Sequence, residues 1–204
     1  MKKSLLVLAF AASFALSGCA DFKAERLTTA EGDEKAMSIT DEWLQTDTEN
    51  TVKAVLKQLD SHRGFQRYLN ALGHPPKMFI AEVQNETSEA YFPIDDLNDE
   101  FLNEVSASGD FTLIDAKARD RILKEIQYQN DGMVKTSDIR KIGKATGAEL
   151  LMFGAVRMNP KTLNGKTIKE YSVNLRLTNI ETGEEVGRVR YKTSKYSKRG
   201  GFGW

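Results

Sequence analysis

The sequence predicts an α/β fold, a mixed sheet flanked by helices and ending in a β-hairpin. Three observations carry this. Apolar residues recur at helical spacing in several separate stretches before residue 145. Two apolar runs, Met78 to Gln84 and Leu150 to Val156, have the length of buried strands and lie between those stretches. From Tyr171 onward the period changes to strict alternation. Helical and strand periods that interleave along one chain imply helices packed on a sheet.

The elements follow in order. Val52, Val55, Leu56 and Leu59 mark a helix over 49–60. A second helical piece, Phe65 to Leu72, continues after Gly64 and is stopped by Gly73 and the pair Pro75-Pro76. "KMFIAEVQN" is a buried strand. Ile94, Leu97, Phe101, Leu102 and Val105 form the stripe of the next helix. Its first turns hold Asp95, Asp96, Asp99 and Glu100, where the helix dipole favours carboxylates, and Gly109 ends it. "FTLID" is a short strand. Asp115 caps a helix that turns Ile122, Leu123 and Ile126 inward, and the Asp131-Gly132 turn closes it. A short helix follows with Ile139, Ile142 and Ala145 on its inner face, ended by Gly147 in a left-handed cap.

"AELLMFGAVRM" is then a central strand, because Leu150 to Val156 is apolar on both alternating faces. Tyr171, Val173, Leu175 and Leu177 alternate with Ser172, Asn174, Arg176 and Thr178, a half-buried strand. A three-residue loop, Glu181-Thr182-Gly183, returns the chain into "EVGRVRYKTS" with Gly183 left-handed. This register sets Leu175 beside Val189 and Val173 beside Tyr191. On the outer face it sets Arg176 beside Arg188 and Asn174 beside Arg190. Like charges directly opposite destabilise slightly.

The first eighteen residues, "MKKSLLVLAFAASFALSG", have Lys2 and Lys3 followed by an apolar run from Leu5 to Leu16 broken only by Ser13. That is the layout of a bacterial secretory signal, too short for a transmembrane helix of roughly 20 residues. Leu16-Ser17-Gly18-Cys19 resembles a lipobox, and Cys19 is the only cysteine in the chain. No intramolecular disulfide or Cys-rich metal site is open to it. The resemblance implies cleavage before Cys19, a diacylglycerol on its sulfur and acylation of the new amine. Several acyl chains anchor firmly, at about 0.8 kcal/mol per buried CH₂. Ala20, rather than Asp, follows the cysteine, which favours the outer membrane and a domain facing the periplasm.

The sequence therefore divides into a signal peptide over 1–18, a flexible tether over 19–48, a globular domain over 49–195 and a basic aromatic tail over 196–204. The tether is polar and proline-free, with Trp43 and Leu44 placed to dock on the domain. About 30 flexible residues span roughly 30 Å on average and about 100 Å stretched. Removing Lys2 and Lys3 from 29 basic residues leaves 27 against 29 acidic, a net charge of −2. That balance gives no bulk affinity for nucleic acid.

No catalytic constellation stands out. His62 and His74 flank a helix end without the spacing of a metal site. "TGAELLMFG" runs from helix to strand, the reverse of a phosphate loop. No Gly-x-Ser-x-Gly elbow or calcium loop is present. The sequence thus gives no cofactor, no metal and no small-molecule substrate. The unusual segment is the C-terminal one. After Val186, Arg188, Arg190, Lys192, Lys195, Lys198 and Arg199 occur with no acidic residue among them. A solvated strand with a frayed tail is the plain account. A docking surface for an acidic partner is the sharper one, with Asn174, Arg176, Arg188 and Arg190 as its outer hairpin face.

"DFTLIDAKARDRILKEIQYQNDGMV", "IGKATGAELLMFGAV" and the hairpin that follows resemble the LpoB family. Tyr128-Gln129, Asp131-Gly132 and the run Thr146-Gly147-Ala148 to Gly154 are the markers, and the likeness covers about residues 76–194 together with the lipobox. Similar Gly-Ala…Gly strands occur in the N-terminal domain of TolB and in the secretion lipoprotein CsgG. The resemblance implies a TolB N-terminal-domain-like fold and no enzymatic activity. It implies an outer-membrane lipoprotein that activates a bifunctional, inner-membrane penicillin-binding protein. The family's tethers are long and proline-rich, and this one is neither. Two other readings stand beside it: a scaffold for another outer-membrane protein, and a CsgG-like secretion component, which would need added membrane strands.

Overall fold

The computed structural model describes residues 24–114, 143 and 146–199. Four helices and five strands occur there: α1 Thr29–Met37, α2 Gln45–Ser61, α3 Arg63–Leu72, β1 Lys77–Glu86, α4 Ile94–Ser108, β2 Thr112–Leu113, β3 Leu150–Leu163, β4 Lys166–Asn179 and β5 Glu185–Lys198. The strands form one mixed sheet in the order β2-β1-β3-β4-β5, an α/β fold as the periodicities require. β1 pairs in parallel with both β2 and β3, and β3, β4 and β5 run antiparallel. The apolar β3 sits in the middle.

One face of the sheet carries the main core. Val52, Val55 and Leu59 of α2, Phe65 of α3, and Leu97, Phe101 and Val105 of α4 pack on it. The sheet supplies Met78, Ile80 and Val83, then Leu150, Met152 and Val156, then Val173, Leu175, Leu177 and Val189. The opposite face buries Phe79, Ala81, Leu151 and Ile180. So β1 and β3 are covered on both sides, which is why their runs are continuously apolar.

Local signals explain the boundaries. His62 ends α2 and caps α3, its Nδ1 accepting the Phe65 N–H at 3.1 Å. Gly73 and Gly109 take left-handed φ at the ends of α3 and α4. Gly154 marks a close approach: a Cβ there would lie 2.1 Å from the Asn174 carbonyl oxygen. β1 carries a bulge between Ile80 and Val83. Asn98 of α4 fastens it, accepting from the Val83 N–H at 2.7 Å and donating to the Val83 carbonyl at 3.2 Å.

Several expectations need correction. The segment read as a flexible tether over 19–48 contains α1, and α2 begins at Gln45 rather than 49. Thr28 and Glu31 form a reciprocal capping box for α1, the Thr-x-x-Glu signal of a helix start. The tail expected from 196 begins later, since Tyr196, Ser197 and Lys198 pair with Ile168, Thr167 and Lys166. The loop after β4 is five residues, Ile180 to Glu184, because the ladder shifts between Leu177 and Thr178. β3 and β4 also run farther than expected, meeting in a two-residue Asn164-Gly165 turn with φ of 50° and 71°. Asn-Gly is the strongest short hairpin signal, and this pair was there to be read. The helices expected around Asp115, Ile122, Leu123, Ile126, Ile139, Ile142 and Ala145 lie outside the described residues.

Candidate functional site

Two surfaces of the β4–β5 hairpin carry chemistry. The outward one is the face foreseen from the alternation. Arg176 pairs with Arg188 and Asn174 with Arg190, in the expected register. Rows from β3 extend it: Phe153 beside Arg176, and Arg157 beside Ser172, which pairs with Lys192. The like-charge pair is relieved locally. The Arg188 guanidinium donates to both Glu185 carboxylate oxygens at 2.7 and 2.6 Å. This hydrogen bond holds the Glu185 carboxyl below its ordinary range and raises Arg188. The Arg176 guanidinium carbon lies 4.6 Å from the Phe153 ring centroid, a cation–π contact. Arg190 Nε donates to Asn174 Oδ1 at 2.6 Å, and Arg157 Nε to Glu86 at 2.6 Å. In these rows five cations, Arg157, Arg176, Arg188, Arg190 and Lys192, thus stand with two carboxylates, Glu86 and Glu185. The face is an ordered basic surface suited to an acidic partner. Cys19 lies outside the described residues.

The inward surface was not foreseen. Beyond Arg157, β3 has no β1 neighbour, and the three long strands continue as an extension. Residues 37–47 cross the inner face of that extension as a strap. Trp43 is buried against Phe92 at 5.1 Å and Tyr171 at 5.0 Å between ring centroids. Its indole N–H donates to Thr48 Oγ1 at 2.8 Å. Around this aromatic centre runs an ionic chain. Lys169 Nζ lies 2.8 Å from Asp41 and 2.7 Å from Glu89. The Tyr171 hydroxyl donates to Glu89, 2.9 and 3.0 Å from its two oxygens. Ser197 Oγ donates to Asp41. Lys195 Nζ lies 2.5 Å from Asp47, whose Oδ2 also takes the Leu44 N–H at 2.8 Å.

The titrations follow from these contacts. Hydrogen bonds from Lys169 and then Ser197 hold Asp41 below its ordinary range. Burial pushes Lys169 down, but the two carboxylates outweigh it and leave it raised. Burial, then the Glu89 hydrogen bond and charge, push the Tyr171 hydroxyl far above its ordinary value. The chain of contacts is a clasp. A sequence signal existed: Lys169 and Lys195 share the inward parity of Tyr171 and Val189, and an inward lysine needs a carboxylate.

The histidines and the acidic helix start are structural here. His74 Nε2 lies 3.5 Å from Glu149, and His62 is the cap already described. Asp95 and Asp99 border a shallow cleft with Ile80, Glu82, Asn98 and Leu102, where Asn98 is committed to the β1 bulge. Among the described residues no group of three or more His, Cys, Asp or Glu side chains is arranged to hold a metal ion, and no helix is long and apolar enough to cross a membrane.

Comparison with known proteins bears on this geometry. The LpoB C-terminal domain from Salmonella enterica superposes with a TM-score of 0.53 at 13% identity, covering 72% of this chain and 98% of that one. The LpoB C-terminal domain from Escherichia coli gives 0.49 at 14%, covering 75% and 99%. At such identity the Salmonella likeness is one of fold. No curated protein matches the sequence. A family model described as peptidoglycan-synthase activator LpoB matches residues 47–187. That span runs from the first turn of α2 into β5, so the chain belongs to the LpoB family of peptidoglycan-synthase activators.

Proposed function

We propose that this chain is an outer-membrane lipoprotein, anchored through acylated Cys19 and facing the periplasm. It binds and activates a bifunctional penicillin-binding protein of the inner membrane and has no enzymatic activity of its own. The family match over residues 47–187 is the observation that carries this reading. Activation of this kind is a population shift: the lipoprotein must bind the active synthase conformation more tightly than the inactive one. The outward face at Asn174, Arg176, Arg188 and Arg190 is the contact surface. Arg188 and Arg190 are held by short local bonds and Arg176 by its contact with the Phe153 ring, so little side-chain entropy is lost on docking.

The docked strap bears on reach. With α1 folded against α2 through the Thr46 N–H to Asp33 bond of 2.7 Å, nine residue steps separate Cys19 from the Thr28 cap. That allows at most about 35 Å. Such a short leash favours a partner that itself approaches the anchor. A scaffold role at an outer-membrane protein shares this advantage and is the second reading.

In-cell photo-crosslinking from Asn174 and Arg190, followed by mass spectrometry, separates them. A penicillin-binding protein among the adducts is expected. An outer-membrane protein alone would move the function to local scaffolding. Charge reversal at Arg176 and Arg190 should abolish the adducts while leaving the fold intact; unchanged capture would sink the binding face.

A further inference from the structure

We propose that the far end of the β3–β5 extension is a membrane-contact tip that rests on the anionic bilayer to which the chain is tethered. This rests on the lipoprotein reading of Cys19. The last outward rows of the extension are Leu163–Lys166–Lys198 and Lys161–Ile168–Tyr196. Leu163 is 73% exposed, Tyr196 57% and Ile168 39%. Ile168 is directly paired with Tyr196, and Leu163 is its diagonal neighbour across the β3–β4 ladder, so the three form one apolar group. Elsewhere on the outward face of β4 and β5 the positions from 170 to 176 and from 188 to 194 hold charged or polar side chains.

The charges around the group choose the occupant. Lys166 and Lys198 lie directly opposite one another, and neither has an ion-pair partner among the described residues. Lys161 is the third cation, bridged to Glu170 at 2.8 Å. Two facing lysines repel, and the repulsion is relieved by an anionic layer on top of them. An aliphatic and aromatic group beside long cationic stems suits a lipid interface, where the rings and methyls enter and the ammonium groups reach the headgroups.

The tether bears on this placement. Asp41 holds the strap to Ser197 and Lys169, the immediate neighbours of Tyr196 and Ile168 on the opposite face. Met37 reaches Lys195 next to them, its sulfur 3.8 Å from the ammonium. The strap that follows α1 is therefore fastened directly behind the apolar group. Nine residue steps from Cys19 to Thr28 reach at most about 35 Å, so the domain stays near the membrane, and this exposed apolar and cationic end of the sheet is the part suited to rest on it. The Asn174 and Arg190 row lies six residue pairs farther along the strands, roughly 20 Å away, and stays free for a protein partner.

The test uses the full acylated chain bearing Leu163→Cys. Acylation occupies Cys19, so an environment-sensitive nitrobenzoxadiazole label reports position 163 alone; Ile39→Cys, 86% exposed in the native chain, is the control. In mixed phosphatidylglycerol–phosphatidylcholine vesicles the label at 163 should shift to the blue and be quenched by brominated acyl chains, while the label at 39 should do neither. Lys166→Gln should lower the docked-to-undocked ratio about fivefold, and Lys198→Gln likewise, about 1 kcal/mol for each lysine near an anionic surface. A label at 163 that stays in water overturns the proposal. So does a shift that appears only when the synthase is added, which would assign the tip to a protein. The intact mass tests acylation separately: without it the lipoprotein reading fails, and the tip is scored with Cys19→Ser.

Discussion

The β4–β5 hairpin presents two kinds of cation. Lys169 points inward, its side chain 16% exposed, and touches Asp41 and Glu89 at once. Arg188, on the outward face of the neighbouring strand, pairs as closely with Glu185 but is 58% exposed. The bond lengths are alike, and the surroundings are not. Water competes for the outward pair, so its bond mainly orders the guanidinium. Around Lys169 there is little water to replace a lost partner, and each deletion strands a charge. The inward face therefore spends its ions on holding the strap, and the outward face leaves its ions exposed to solvent.

The largest break of this contrast should come from the aromatic centre of the strap. Trp43→Ala removes the ring that Phe92 and Tyr171 pack on, and should cost about 3–5 kcal/mol in denaturant unfolding. Next is Lys169→Ala, which leaves Asp41 and Glu89 without their shared cation; about 2–3 kcal/mol is expected. Both should release α1 and lengthen the leash, visible as faster amide exchange over 29–44. If Lys169→Ala proves as mild as an outward variant, the clasp is no clasp.

Acid and base should open the strap from opposite sides. Asp41 is lowered in the folded chain, so its contribution is present above its unfolded value, near 3.9, and is lost as pH falls through the folded one. Lys169 and Tyr171 are raised, so theirs are present below about pH 10 and fade as pH rises through the folded values. Trp43 fluorescence in a Trp204→Phe background should therefore hold a plateau across neutral pH and change at both ends. Asp41→Asn should remove the part of the acid limb that belongs to the strap. An unaltered acid limb would assign it to other carboxylates.

How much of this was legible followed the strength of the local pattern. The β4–β5 register was readable because alternation fixes faces, and a one-residue slip would have turned Val173 and Leu175 to solvent. β3 was readable as central because only double burial requires so continuous an apolar run. α1 was hidden because it buries none of its own residues; its signal was only the capping box of Thr28 and Glu31. The clasp was harder still. Lys169 and Asp41 meet across a separation that no local pattern encodes, and inward parity alone hinted at it. The outward residues were placed correctly in space, but Glu185, one residue before the acid-free stretch, was overlooked as the partner of Arg188.

Glu185 supplies the smallest and sharpest test. Glu185→Gln removes the carboxylate that orders Arg188 and should change stability by less than about 1 kcal/mol, because the pair is exposed. Its effect on the partner has a definite sign. Freed from Glu185, Arg188 faces Arg176 with its charge uncompensated, and the outward face gains a net positive charge. An acidic partner should then associate faster, and salt should suppress that gain. If Glu185 instead touches the partner directly, the same substitution slows association. Stopped-flow binding at two salt concentrations distinguishes the outcomes, and neither depends on a change in folding.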